Sequence, residues 1–217
     1  MAENITSFNS VPLFVNTKKK IRHHLRNKRR QLPTLLRNKL SEQMCSLLTR
    51  QLFFKKSTRI AFYLSNDGEI SLQKALYAAL AQNKRCYLPV ICSAANPQMR
   101  FALFNHRTTL IKKKFGIFEP LVTRRKHIAA TSLDLVLMPL VAFDLAGNRL
   151  GMGGGFYDKT FGFLSRRKYW KHPKLIGVAY DFQQIENLPG DVWDIPLDGV
   201  ITNNAFINMV NLKLRNI

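Results

Sequence analysis

A glycine-dense segment placed behind an apolar run constrains this chain more than any other feature. Residues Asp144 to Asp158 read DLAGNRLGMGGGFYD and hold five of the protein's 11 glycines. The run before them, from Leu133, reads as a central buried strand to Leu140 with its end at Pro139. Lys159 to Leu164 can continue a helix on the other side. Glycine at this density lets the backbone enter positive φ and approach a ligand, so that successive N–H groups face an anion. Arg149 adds a fixed cationic fork, and Asp158 a hard oxygen ligand one turn into the helix. The pattern is that of an α/β sheet with a phosphate-holding turn at a strand end.

The flanking sequence supports that class. Residues 17–31 read as a helix capped by Asn16 or Thr17 and stopped by Pro33, with Ile21, Leu25 and Leu32 as its apolar stripe. Lys18, Lys19, Lys20, Arg22, Arg26, Lys28, Arg29 and Arg30 form its polar face, either solvated or partly turned to a triphosphate. A second helix over 34–52 carries a core stripe of Leu36, Leu40, Met44, Leu47, Leu48 and Leu52. Arg59–Ser65 reads as a buried strand closed by the turn Asn66-Asp67-Gly68. Glu69 then opens a helix with Leu72, Leu76, Ala79 and Leu80 inward. Its position suits both the helix dipole and a ligand at the carboxyl end of a strand.

Cys86–Val90 completes a β-α-β unit, and right-handed crossover makes it parallel to the first strand. Met99–Phe104, Lys174–Tyr180 and Gly199–Thr202 read as further strands, and Phe115–Pro120 as an irregular loop. Residues 1–16 are expected to be a disordered leader and 17–217 one domain, since 46% hydrophobic residues suffice for one substantial core.

Charge is the unusual part of the composition. Lys and Arg outnumber Asp and Glu by 34 to 13, a net +21, and before residue 60 the acids are Glu3 and Glu42. Such a field favours anionic partners, from nucleotides to nucleic acid. The basic helix lacks interleaved aromatics, which counts against a nucleic-acid-binding protein without enzymatic activity, the alternative reading. Cys45, Cys86 and Cys92 show no metal or disulfide spacing. Glu3 and interrupted apolarity exclude a signal peptide in the leader, and no apolar run approaches the roughly 18–20 residues of a membrane span. A cytoplasmic protein, monomeric and free of the membrane, is expected.

The glycine segment is not a Walker loop, since no GxxxxGK[ST] occurs. Nor is it a dinucleotide fingerprint, because Phe156 stands where the third glycine of GxGxxG belongs. As a whole, however, Arg149-Leu-Gly-Met-Gly-Gly-Gly-Phe-Tyr-Asp158 resembles the RLGxGxGYYD signature of the 5-formyltetrahydrofolate cyclo-ligase (5,10-methenyltetrahydrofolate synthetase) family. Phe156 replaces the first tyrosine and loses a hydroxyl. Lys18–Arg22, Phe62–Ser65 with Glu69-Ile70, Phe115–Pro120 and Trp193–Asp198 through Thr202 resemble the same family in the same order, over roughly residues 18–203.

The resemblance implies a three-layer α/β/α sandwich with a mainly parallel sheet, like ribose-phosphate isomerases and CoA transferases, and a helical N-terminal arm. It implies ATP- and Mg²⁺-dependent cyclisation of 5-formyltetrahydrofolate to 5,10-methenyltetrahydrofolate, with ADP and phosphate released. The ordered blocks speak against a sugar-phosphate isomerase on the same fold. By that resemblance Lys18, Arg22, Arg149, Gly151, Gly153, Gly154, Gly155 and Tyr157 bind ATP, and Arg149, Tyr157 and Asp158 are catalytic. Some family members carry lysine at the position of Gly154. Leu64, Glu69, Met152, Phe156 and Tyr157 receive the folate, and Asp158 and Asp194 support Mg²⁺. A loop cap is the alternative at Asp194, helix packing at Tyr157, and a core role at Trp193, a weaker folate candidate.

Overall fold

The computed structural model describes residues 18–91, 98–113, 118–121, 123, 127–167 and 172–209. The leader, the caps Asn16 and Thr17, Cys92 and the Phe115–Ile117 part of the expected loop lie outside these residues; the rest of that segment is not loop but strand β5 (Phe118–Pro120), paired antiparallel with β4 (Leu110–Lys112).

The central sheet is built from strands that are apolar on both faces. β1 (Arg59–Ala61), β2 (Arg85–Ile91), β7 (Leu135–Pro139), β10 (Lys174–Val178) and β11 (Gly199–Ile201) run parallel. Three antiparallel pairings extend them: β3 (Met99–Phe104) on β2, β6 (His127–Ile128) on β3, and β12 (Phe206–Asn208) on β11. The order across the sheet is β12-β11-β10-β7-β1-β2-β3-β6. Along β7, Leu135 and Leu137 enter one core cluster while Val136 and Met138 enter the other. This period-two alternation requires a covering layer on each side.

Helices α2 (Thr34–Arg50), α3 (Leu52–Lys56) and α4 (Gln73–Ala81) cover the first face through Met44, Leu48, Phe54, Leu76 and Ala79. The short α5 (Phe156–Phe161) covers the second through Phe161, with Phe156 and Tyr157 packed beside it. The result is the α/β/α sandwich expected of the sequence. Two ends of the predicted α2 stripe differ: Leu36 is 40% and Leu52 70% exposed. The helix breaks at Gln51, which turns Leu52 out of register with Leu48.

The N-terminal helix α1 (Lys18–Gln31) does not project as an arm. Ile21 and Leu25 pack on Val141, Ala142, Leu150 and Leu188. Burial of each such side chain stabilises by roughly 1.5–3 kcal/mol. Their seat is the hairpin of β8 (Ala142–Phe143) and β9 (Arg149–Leu150), which lies between the central strand and the glycines. Buried Asp144 ties that hairpin, accepting from Asn148 N (2.9 Å), Asn148 Nδ2 (2.8 Å) and Leu188 N (3.0 Å).

From β1 the chain moves to β2 on one side, whereas β7, β10 and β11 build out on the other. The sheet therefore changes direction between β1 and β7, and an open α/β sheet has its ligand crevice beyond the carboxyl ends of such strands.

Candidate active site

Two loops form that crevice. The loop after β1 carries Leu64, Asp67 and Glu69; the chain after β7 carries Leu140 and, beyond the hairpin, the glycines. Asp67 and Gly68 both have positive φ, 52° and 74°. A Cβ at Gly68 would meet the Arg29 carbonyl oxygen at 3.0 Å, so the turn needs glycine to let α1 approach. Glu69 lies in this loop, and the following helix starts only at Gln73. The expectation that Glu69 opens the helix is thus corrected. Its carboxylate folds back instead, with Oε2 accepting the Asn66 N–H at 3.0 Å. Burial pushes the Glu69 carboxyl above its usual range, against the opposing charge of Arg29.

The glycine loop is shaped by two positive-φ residues, Gly153 at 103° and Gly155 at 64°, the latter starting α5. Arg22 Nε donates to the Gly151 carbonyl at 2.8 Å, and its guanidinium lies along the open face of Gly153. Gly154 is covered differently: a Cβ there would stand 2.6 Å from the Phe156 ring. Arg149, 6% exposed, donates through Nη2 to Asp158 Oδ1 at 2.6 Å and through Nη1 to the Ile195 carbonyl. The same Asp158 oxygen accepts the Ile195 N–H at 3.2 Å. Asp158 is therefore held next to the residue that follows Asp194.

Asp194 belongs to a turn in which Asp191 N donates to Asp194 Oδ2 at 2.9 Å. Lys18 reaches across from α1, with Nζ 2.6 Å from Asp191 Oδ2 and 3.5 Å from Asp194 Oδ2. The Asp191 hydrogen bond, aided by both carboxylate charges, raises the Lys18 ammonium above its ordinary value despite some burial. The structure thus brings together, of the residues singled out from sequence, Lys18 with Asp194 (through the turn that holds Asp191), Arg22 with Gly151 and Gly153, and Arg149 with Asp158. Trp193 is 70% exposed, which excludes the core role considered for it; Met152 is 50% exposed on the glycine loop. Leu64 is half-buried against the first core cluster.

Tyr157 sits in the first turn of α5. Its ring stacks near Phe161 with centroids 6.2 Å apart. Burial raises its phenol far above the usual range; the Glu69 charge adds to this and Arg149 opposes it. Among the described residues no three His, Cys, Asp or Glu side chains gather as a metal site. Mg²⁺ commonly takes only one or two carboxylates and completes its shell with phosphates and water.

Sequence reading missed three contributors. Arg29, placed there on the solvated face, is 1% exposed. Its signal was the i+4 spacing that extends the row Ile21, Leu25. Asp67 and Asp191 had none, because their partners lie far away in sequence. A cavity of about 800 Å³, lined by Asp134, Lys174 and Phe206, opens at the amino ends of β7 and β10. It holds none of these groups and lies at the end of the sheet opposite the crevice.

No described helix is long and apolar enough to cross a membrane. Comparison with known proteins agrees with the geometry. The model of the 5-formyltetrahydrofolate cyclo-ligase family matches residues 15–203. A 5-formyltetrahydrofolate cyclo-ligase of Haemophilus influenzae is 36% identical over 191 residues, covering 86% of this chain and 99% of that protein. The Escherichia coli K12 protein of the same name is 34% identical, with 82% and 96% covered. The solution structure of Aquifex aeolicus 5,10-methenyltetrahydrofolate synthetase superposes with a TM-score of 0.74 at 33% identity, covering 88% of this chain and 92% of that one. This chain belongs to the 5-formyltetrahydrofolate cyclo-ligase family.

Proposed function

We propose that this protein performs its family's reaction, the ATP-dependent cyclisation of 5-formyltetrahydrofolate to 5,10-methenyltetrahydrofolate, in the crevice between β1 and β7. The observation that carries this reading is that one helix, α1, reaches both walls, with Arg29 3.7 Å from the Glu69 carboxylate and Arg22 donating to the Gly151 carbonyl at 2.8 Å. A carboxylate suited to the pterin and a cation-flanked glycine loop suited to phosphate are thereby set by one element. Membership of an enzyme family favours this over a nucleic-acid-binding protein without activity.

The formyl carbon on N5 is a poor electrophile with a poor leaving group. Transfer of the γ-phosphoryl group to the formyl oxygen releases ADP and turns that oxygen into a good leaving group. N10 attacks the activated carbon and gives up its proton; the C–O bond breaks, phosphate departs, and the five-membered ring is closed. The protein's task is to align the substrates and to neutralise charge on the transferring group.

Glu69 accepts from the pterin amino and ring N–H groups, and Leu64, Met152, Phe156 and Tyr157 line the folate side. Arg149 stands at the transferring phosphoryl, and the backbone of Gly151, Gly153, Gly154 and Gly155 holds the triphosphate. Arg22 adds its charge to that loop and Lys18 adds its own beside Asp194, one turn apart on one face of α1. Asp158 and Asp194 would hold Mg²⁺, which would supply charge neutralisation on the phosphate oxygens.

Labelling the formyl oxygen with ¹⁸O tests this chemistry. The label is expected in the released inorganic phosphate. Label in bulk water instead would reject phosphorylation of the formyl oxygen.

A further inference from the structure

The chemistry above leaves one cation in the crevice without a task. Arg29 heads the largest fully buried side chains among the described residues. A buried guanidinium is tolerated only when its donors are satisfied. Here Nε donates to the Asp67 carbonyl at 2.8 Å, Nη2 to Asp67 Oδ2 at 2.9 Å, and Nη1 to the Leu140 carbonyl at 3.4 Å. Nη1 also stands 3.7 Å from Glu69 Oε1. Arg29 therefore bridges the loop after β1 and the chain after β7, the two walls of the crevice.

Charge balance for Asp67 does not explain this burial. Asp67 already receives Arg26 Nε at 2.7 Å and Arg30 Nε, both from less buried side chains. Glu69, by contrast, has Arg29 as its only ion-pair partner among the described residues. With Oε2 held by the Asn66 N–H and Oε1 facing Arg29, both carboxylate oxygens have fixed neighbours.

We propose that Arg29 is a positioning residue for folate recognition, holding the Glu69 carboxylate in one orientation between the two walls so that it meets the pterin donors preorganised. This rests on the reading of Glu69 as the pterin acceptor. The charged and titratable groups facing Glu69 are Arg29, Arg26 and Asp67, with the phenols of Tyr63, Tyr157 and Tyr180 around it. Burial disfavours ionised Glu69, and Arg29 is foremost among the groups that oppose this. Removing the Arg29 charge therefore moves Glu69 ionisation to higher pH. The same helix brings Lys18 to Asp191 and Asp194 and Arg22 to the glycine loop, with Arg29 about 10 Å further along its axis from Arg22. One element thus aligns the nucleotide and folate sides.

The test is a double-mutant cycle on the full-length enzyme, with KM for 5-formyltetrahydrofolate and for ATP measured for wild type, E69Q, R29K and R29K/E69Q. KM reports on folded molecules, so partial loss of folded enzyme does not imitate the effect. R29K is expected to raise folate KM about tenfold, equivalent to one well-made charged hydrogen bond, and to change ATP KM less than about twofold. In the E69Q background the same substitution is expected to have almost no further effect on folate KM. R29Q is expected to shift the acid limb of kcat/KM for folate to higher pH, and R29K to restore it. Equal effects on both KM values, or effects that multiply in the double variant, would overturn the role of Arg29. An E69Q enzyme with unchanged folate KM would instead reject the pterin reading itself.

Discussion

Arg149 Nη2 lies 2.6 Å from Asp158 Oδ1, closing the nine-residue span of the glycine loop with an ion pair whose arginine is 6% exposed. Asp158 therefore has a structural role beside the chemical one proposed for it. It holds the Arg149 guanidinium and the Ile195 amide.

Replacing Asp158 consequently has two separable effects. Asp158→Ala leaves a buried cation unpaired and is expected to destabilise by roughly 3–5 kcal/mol. Asp158→Asn keeps an acceptor for both donors and is expected to cost less. Both variants are expected to lose nearly all cyclo-ligase activity. Urea unfolding beside turnover at saturating Mg²⁺ separates the terms, and near-normal turnover of the Asn variant would remove Asp158 from the chemistry.

Lys18 is engaged by Asp191. If the lysine serves the triphosphate, Asp191 competes with it. Asp191→Asn is expected to lower the KM for ATP by about two- to fivefold, since a partly exposed pair is worth up to about 1 kcal/mol. A raised ATP KM would show that Asp191 assists nucleotide binding instead.

Gly154 has no positive φ, unlike Gly153 and Gly155, so its requirement is steric. A Cβ 2.6 Å from the Phe156 ring must displace that ring. Gly154→Ala is expected to destabilise by about 1–3 kcal/mol and to weaken folate binding. In a Phe156→Ala background the stability cost should nearly vanish. Additive costs in a thermal-unfolding cycle would show that the ring is not the obstacle.

Asp67 is expected to contribute to the acid sensitivity of the fold. Burial alone would raise its carboxyl, but hydrogen bonds from Arg26, Arg30 and Arg29 outweigh this and hold it below its ordinary value. Unfolded, it titrates near about pH 3.9. A carboxyl lowered by folding stabilises fully above that unfolded value, and its contribution is lost as pH falls through the folded one. Wild type is expected to lose stability on acidification below about pH 4 more steeply than Asp67→Asn. Parallel profiles of unfolding free energy against pH would contradict the arginine clamp.

Much of the fold was legible because it is written in apolar runs. The strand ending at Pro139 and the parallel pairing of β1 with β2 follow from burial on both faces and from crossover handedness. The hairpin of β8 and β9 was not legible, because Val141–Phe143 reads as a continuation of the central run. The partners of Lys18 and Arg29 were hidden for another reason. Eight cations crowd α1, and residue type alone does not tell which of them is buried. Arg29 is selected by the positive-φ turn at Asp67, 38 residues away, and Lys18 by Asp191 across 173 residues. Glu69 could be located by motif, but its position in a loop depended on where α4 begins.

The most direct measurement is spectrophotometric: the appearance of 5,10-methenyltetrahydrofolate from 5-formyltetrahydrofolate on the purified full-length protein, with and without ATP. We expect product only with ATP, one ADP per methenyl group formed, and loss of both in Asp158→Asn. Absence of product with ATP and Mg²⁺ present, or product formed equally without ATP, would contradict a crevice in which nucleotide and reduced folate meet.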